Sequence, residues 1–171
     1  MSPVKTSPAQ RPASGCTCFK LRSLARRVTQ LYDHVLAPSG LKVTQYSLLA
    51  SARRREGSDP PTVTELAQRL FTDRTTLTRN LRPLIAAGFI RIGVGRDERS
   101  KAVIVTPRGE AAYQATRPLW KAAQTLMHEH AGDLHLTALH ELIDILLPRL
   151  DDPGAMADRA NSGERETSPA V

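Results

Sequence analysis

The chain has 171 residues and a mass of 18.7 kDa, room for one ordinary domain with its own core and hardly for two. Hydrophobic residues at 40% and charged residues at 24% sit near globular averages, and no apolar run nears the roughly 18 to 20 residues of a membrane helix, which excludes a helical membrane protein. The net charge of +7 is uneven, with +6 over residues 1–52, +5 over 53–101, −1 over 102–150 and −3 over 151–171, so a nucleic-acid partner competes with a merely soluble basic surface.

Residues 1–15 hold three prolines and no apolar segment of a secretory signal, so a disordered tail and a cytoplasmic location are expected. Cys18, Leu21, Ala25, Val28, Tyr32, Val35 and Leu36 recur at spacings of three and four, the stripe of a helix ending before Pro38 and Gly40. A second helix is expected from near Thr44, with Tyr46, Leu48, Leu49 and Ala52 apolar, to a stop at Gly57. Thr62 with Glu65 predicts a capped, short third helix that turns Val63, Leu66, Ala67 and Leu70 inward. A cap at Thr72 or Asp73 opens a fourth helix through Ala87, ended by Gly88, with Leu77, Leu81, Leu84 and Ile85 on its core face and a bend at Pro83.

Phe89 to Ile92 and Ala102 to Val105 read as a β-hairpin whose polar tip is Arg96-Asp97-Glu98-Arg99-Ser100-Lys101. Two further helices follow, about Pro107 to His130, kinked near Pro118, and about Asp133 to Leu147, the latter with Leu136, Leu139, Leu142, Ile143, Leu146 and Leu147. Residues 151–171 are expected to be a disordered acidic tail. The fold class is therefore mainly α with a small β-hairpin wing: a terminal helix over 16–42, a winged helix-turn-helix over 43–106 and two terminal helices over 107–150, to which the resemblance given below assigns dimerisation.

Two short helices joined by a tight turn and followed by a basic hairpin make a winged helix-turn-helix. Its second helix leaves Arg74, Thr75, Thr76, Thr78, Arg79 and Arg82 on the exposed side. Arginine reads guanine O6 and N7, and threonine bonds phosphates or touches the thymine methyl, so these residues are the candidate DNA-reading face. Arg96 and Lys101 add charge in the wing. Arg53, Arg54 and Arg55 suit phosphate contacts or simply a solvated helix end.

The run from Thr72 to Leu81, then Leu84, Gly88-Phe89-Ile90, Asp97-x-Arg99 and Thr106-Pro107-x-Gly109, resembles the MarR family of bacterial transcription regulators. The resemblance covers nearly the whole folded part. It implies a homodimer with interlocked terminal helices that binds a palindromic, double-stranded operator, usually as a ligand-relieved repressor. It also implies that Arg99 enters the minor groove and that Asp97 orients it.

Cys16 and Cys18 stand where the tail becomes a helix, and amides at a helix N-terminus favour a reactive thiolate. Within the resemblance, Cys18-Phe19-x-Leu21 sits at the sensing cysteine of the OhrR branch, and Tyr32 matches one of its activating tyrosines. Arg22 and Val43 stand at the other two. Two thiols one residue apart also suit arsenite or a soft metal, and a plain apolar stripe residue beside an idle tail cysteine is the third alternative. His128, His130, His135 and His140 cluster without a zinc-ligand pattern and read as surface or interface residues, and no cofactor or resident metal is expected. Tyr46, Tyr113 and Trp120 read either as core or as the lining of an aromatic-ligand pocket. The chain shows no phosphate loop, nucleophile elbow or acid pair, so it reads as a regulator; a small thiol-dependent enzyme using Cys18 and a non-DNA scaffold are the competing classes.

Overall fold

A computed structural model of the chain describes residues 15–53, 58–96 and 100–150. The expectations for the two tails, the Gly57 helix stop, Arg54, Arg55, Asp97 and Arg99 lie outside those residues. The elements run in the order α1 (Thr17–Leu36), a 3-10 turn (Ala37–Ser39), α2 (Val43–Ala52), α3 (Val63–Arg69), α4 (Arg74–Ala86), β1 (Ile90–Val94), β2 (Lys101–Val105), α5 (Pro107–Ala131) and α6 (Asp133–Arg149). They fall into two compact units, Met1–Gln124 and Thr125–Val171.

In the first unit, α1 ends as the sequence predicts. Ser39 Oγ donates to Leu36 O at 2.7 Å, and Gly40 takes the left-handed φ of 73° that turns the chain into α2. Asp33, on α1, accepts the Val43 amide at 2.7 Å and so caps α2 from another element. Helix α2 ends at Ala52, with Arg53 extended as its C-cap.

Leu41, Leu48, Leu49, Ala52, Val63, Leu66, Ala67, Leu77, Leu81, Leu84, Ile90 and Val103 form one core. Burying a leucine of this kind contributes roughly 1.5–3 kcal/mol, which fixes α4 against α2 and α3. The inward residues of α3 and α4 match the expected stripes with two exceptions. Leu70 is only partly buried, and Ile85 is exposed, because the core-facing row of α4 closes on Leu84 before the helix ends. The helix runs through Pro83, and the Ala87 amide bonds to the Pro83 carbonyl at 3.0 Å.

The hairpin pairs antiparallel from Ile90 with Val105 to Val94 with Lys101, so each strand reaches further toward the tip than the hydrophobic runs suggested. Val103 N donates to Pro61 O at 2.8 Å, tying the segment before α3 to the wing. Thr106 and Gly109 then fix the start of α5. Thr106 Oγ1 donates to Gly88 O at 2.7 Å and accepts the Gly109 amide at 3.0 Å, and a Cβ on Gly109 would collide with the Phe89 carbonyl oxygen.

The apolar stripe of α1 is buried only at its C-terminal end, by Tyr32 and Leu36, whereas Phe19, Leu21 and Leu24 are exposed. In the second unit α6 buries Leu136 and exposes Leu134, Leu142, Ile143, Ile145, Leu146 and Leu147. No helix among the described residues is long and apolar enough to cross a membrane.

Candidate nucleic-acid interface

Helix α3 begins with a reciprocal cap: Thr62 Oγ1 accepts the Glu65 amide at 3.1 Å, and Glu65 Oε2 accepts the Thr62 amide at 2.8 Å. The Thr62 amide bond holds the Glu65 carboxyl below its ordinary value. Helix α4 is capped by Asp73, whose Oδ1 accepts the Thr76 amide at 2.8 Å. Bonding to Thr76 pushes the Asp73 carboxyl down as well, so both caps are ionised in neutral solution.

From this cap α4 presents Arg74, Thr75, Thr76, Thr78, Arg79 and Arg82, all exposed, while Leu77, Leu81 and Leu84 are buried. The helix carries three arginines and no acid. Thr78 Oγ1 donates to the Arg74 carbonyl at 2.7 Å, which leaves its lone pairs and methyl group outward. The sequence therefore placed all six side chains on the accessible side, but not the partner that Thr78 already has.

In the wing, Arg96 and Lys101 are exposed. Arg96 Nε donates to Asp59 Oδ2 at 3.0 Å, an ion pair exposed on both sides. Asp59 escaped the sequence reading because it lies 37 positions away in a Pro-flanked loop with no periodic signal.

Arg53, by contrast, is not available for phosphate. Its Nε and one terminal nitrogen donate to the two Glu110 oxygens at 2.8 Å each, and its guanidinium lies 4.1 Å from the Tyr113 ring centre. That ring stacks on Tyr46 at 5.1 Å, and Trp120 lies 6.0 Å from Tyr46. Tyr46 is 3% exposed, and burial followed by the bond to Tyr113 pushes its hydroxyl far up. Tyr46 is therefore core, while Tyr113 and Trp120 are partly exposed. A cavity of about 320 Å³ opens instead at the wing base, lined by Arg53, Pro60, Glu110 and residues 104–107.

Cys16 is the N-cap of α1 and Cys18 lies in its first turn; both are exposed. Tyr32 is buried, and its hydroxyl donates to Gln124 Oε1 at 2.6 Å. Fourteen helical residues at 1.5 Å each put Tyr32 about 21 Å along α1 from Cys18, so the two do not meet within one chain. In the second unit His128 Nδ1 lies 2.6 Å from Asp133 Oδ1, a carboxylate partner that the sequence reading had not found, while His130 and His135 bond backbone carbonyls. No cluster of three or more His, Cys, Asp or Glu side chains placed to hold a metal ion occurs among the described residues.

The MarR family profile matches residues 39–100, from the turn after α1 to the wing. The transcriptional regulator TtmR of Methylorubrum extorquens is 34% identical over 93 residues, a match that spans 54% of this chain and 46% of that protein. Among solved structures, the Mycobacterium tuberculosis transcriptional regulator MosR in complex with DNA is 36% identical and superposes with a TM-score of 0.61 over 88% of this chain and 99% of its own. Escherichia coli MarR bound to operator DNA superposes with a TM-score of 0.67 at 22% identity, over 77% of this chain and 93% of its own, a likeness of fold.

Proposed function

Because the chain belongs to the MarR family of winged-helix transcription regulators, we propose that it binds palindromic operator DNA as a homodimer and represses until an effector releases it. It is a regulator, not an enzyme. The observation that carries the DNA reading is α4, on which three arginines and three threonines stand exposed beside a buried leucine row, with no acid on the helix. In this reading α4 enters the major groove, Arg79 and its neighbours read base edges, and the wing reaches the flanking minor groove. Arg96 and Lys101 serve the wing, and the family resemblance adds Arg99, oriented by Asp97. The MosR and MarR structures, each bound to DNA, support this docking.

Two copies are supported by the apolar side chains that one chain leaves in water. Phe19, Leu21 and Leu24 on α1 and the row from Leu142 to Leu147 on α6 suit a second chain of the same kind. Dimerisation doubles the cationic face, which matters because phosphate contacts supply much of the affinity.

Release by thiol oxidation is supported by Cys16 and Cys18, exposed at the amide end of α1. Tyr32 takes part only by facing the partner copy. Soft-metal or arsenite capture is the second reading, favoured by the same two exposed thiols one residue apart. A gel-shift titration on the chain's own upstream DNA, with and without diamide, an organic hydroperoxide and arsenite, tests all of this. Release by oxidant, reversed by dithiothreitol and lost in Cys16→Ser/Cys18→Ser, supports the redox switch. Release by arsenite alone replaces it with the second reading, and release unchanged by the double substitution removes both.

A further inference from the structure

Helices α3 and α4 end in the same backbone motif, in which the last turn is closed by two crossed bonds. At the end of α4 the Gly88 amide donates to Ile85 O at 2.9 Å and the Phe89 amide to Leu84 O at 2.9 Å. At the end of α3 the Phe71 amide donates to Gln68 O at 3.1 Å and the Thr72 amide to Ala67 O at 3.0 Å. The residue at the crossing must take a left-handed backbone, and glycine does so at no steric cost. Gly88 has φ 71°, as the motif requires. At the equivalent place in α3 stands Phe71, with φ 48°, the one non-glycine residue of positive φ among the described residues.

Packing does not account for the phenylalanine. Its side chain is 61% exposed, and it is absent from the residues packed against the core, which include its neighbour Leu70. The apolar contact that accompanies this motif belongs to the residues on either side of the crossing, not to the crossing residue itself. A bulky side chain thus occupies a backbone position that disfavours it and projects into solvent. Strain kept in this way points to a contact made outside the folded chain.

Phe71 lies two residues ahead of Asp73, the cap of α4, and three and four residues ahead of Arg74 and Thr75 in its first turn. We propose that Phe71 is a specificity-determining residue of the DNA interface, its ring placed against the 5-methyl group of a thymine at the major-groove edge. The inference rests on the docking of α4 given above. Thymine is the base whose major-groove edge presents an apolar group, and an aromatic ring is a fitting partner for it. The cationic surroundings of Arg74 favour a nucleic-acid occupant over an apolar protein surface.

The test uses the full chain and a duplex recovered from a random pool by selection for binding, prepared with thymine throughout and with uracil at the one thymine whose replacement Phe71→Gly makes indifferent, each thymine being replaced in turn. The wild type is expected to bind the thymine duplex about three- to tenfold more tightly, the effect of losing one or two apolar contacts. Phe71→Gly is expected to lose that preference, to bind the uracil duplex as the wild type does, and to melt at the same temperature or higher, because glycine suits the backbone. A lower melting temperature makes the ring a structural element, and an equal loss on both duplexes puts it against the sugar-phosphate chain or another partner. Either result overturns the proposal. Failure to recover any bound duplex removes the DNA reading itself, whereas good binding without thymine preference removes only the role of Phe71.

Discussion

Arg53 and Glu110 are joined by two parallel hydrogen bonds of 2.8 Å, a fork-to-fork pair that ties the C-cap of α2 to the first turn of α5. The pair sits at the mouth of the wing-base cavity, with Tyr113 beneath the guanidinium and Gln114 donating to Glu110 Oε1 at 2.8 Å. It fixes the winged region to the helix that leaves it.

Both partners remain partly solvated, so screening keeps the pair modest despite its geometry. Arg53→Ala is expected to cost about 1–2 kcal/mol, with the lost cation–π contact included, as read from urea unfolding at neutral pH. The Arg53 bond, aided by Gln114, holds the Glu110 carboxyl below its ordinary 4.5. A carboxyl depressed in the folded chain stabilises above its unfolded pKa and ceases to do so as pH falls through the folded one. The gap in melting temperature between the wild type and Glu110→Gln should therefore be present at neutral pH and close below pH 4.5.

Gly109→Ala should destabilise by roughly 1–3 kcal/mol, because the new methyl group meets a backbone oxygen that cannot yield. Thr106→Ala removes a bridge between Gly88 O and the Gly109 amide and should cost about 1 kcal/mol. Thermal unfolding reads both.

If the exposed rows on α1 and α6 form the dimer, Leu142→Asp with Leu146→Asp should shift the sedimentation mass from twice 18.7 kDa to 18.7 kDa and weaken operator binding. A dimer that survives both charges would place the contact elsewhere.

In the wing, Asp59→Asn should weaken the ion pair that holds Arg96 and leave the fold intact, since the pair is exposed on both sides. Arg96→Ala and Arg99→Ala should each lower affinity and flatten its dependence on salt. An unchanged slope in both would take the wing out of the interface.

The sequence carried the helices and the hairpin well because their periodicity and caps are local: Thr62 with Glu65 and Gly88 after α4 stand where the structure uses them. It carried burial less well. Cys18, Leu21 and Ala25 share the helical spacing of Tyr32 and Leu36 yet lie in solvent, since periodicity separates an apolar face from a polar one but does not say whether the rest of the chain covers it. Ile85 follows Leu81 by four and is exposed because the core ends at Leu84. The exposure of the six arginines and threonines of α4 was legible from the leucine spacing between them. The pairs Arg53 with Glu110 and Arg96 with Asp59 join residues 57 and 37 positions apart, and nothing local announces them. Phe71 was passed over for another reason: its backbone conformation follows from how α3 closes, which composition does not reveal.

The central claim is that α4 reads DNA, and the most direct measurement is a fluorescence-anisotropy titration of the wild type and Arg79→Ala on a selected palindromic duplex and on a random one, over a range of salt. The account predicts that the wild type prefers the selected duplex, that affinity falls steeply with salt, and that Arg79→Ala loses roughly 1–3 kcal/mol on the selected duplex and much less on the random one. Equal affinity of the wild type for both duplexes, or an Arg79→Ala variant that binds the selected duplex as well as the wild type does, would contradict it.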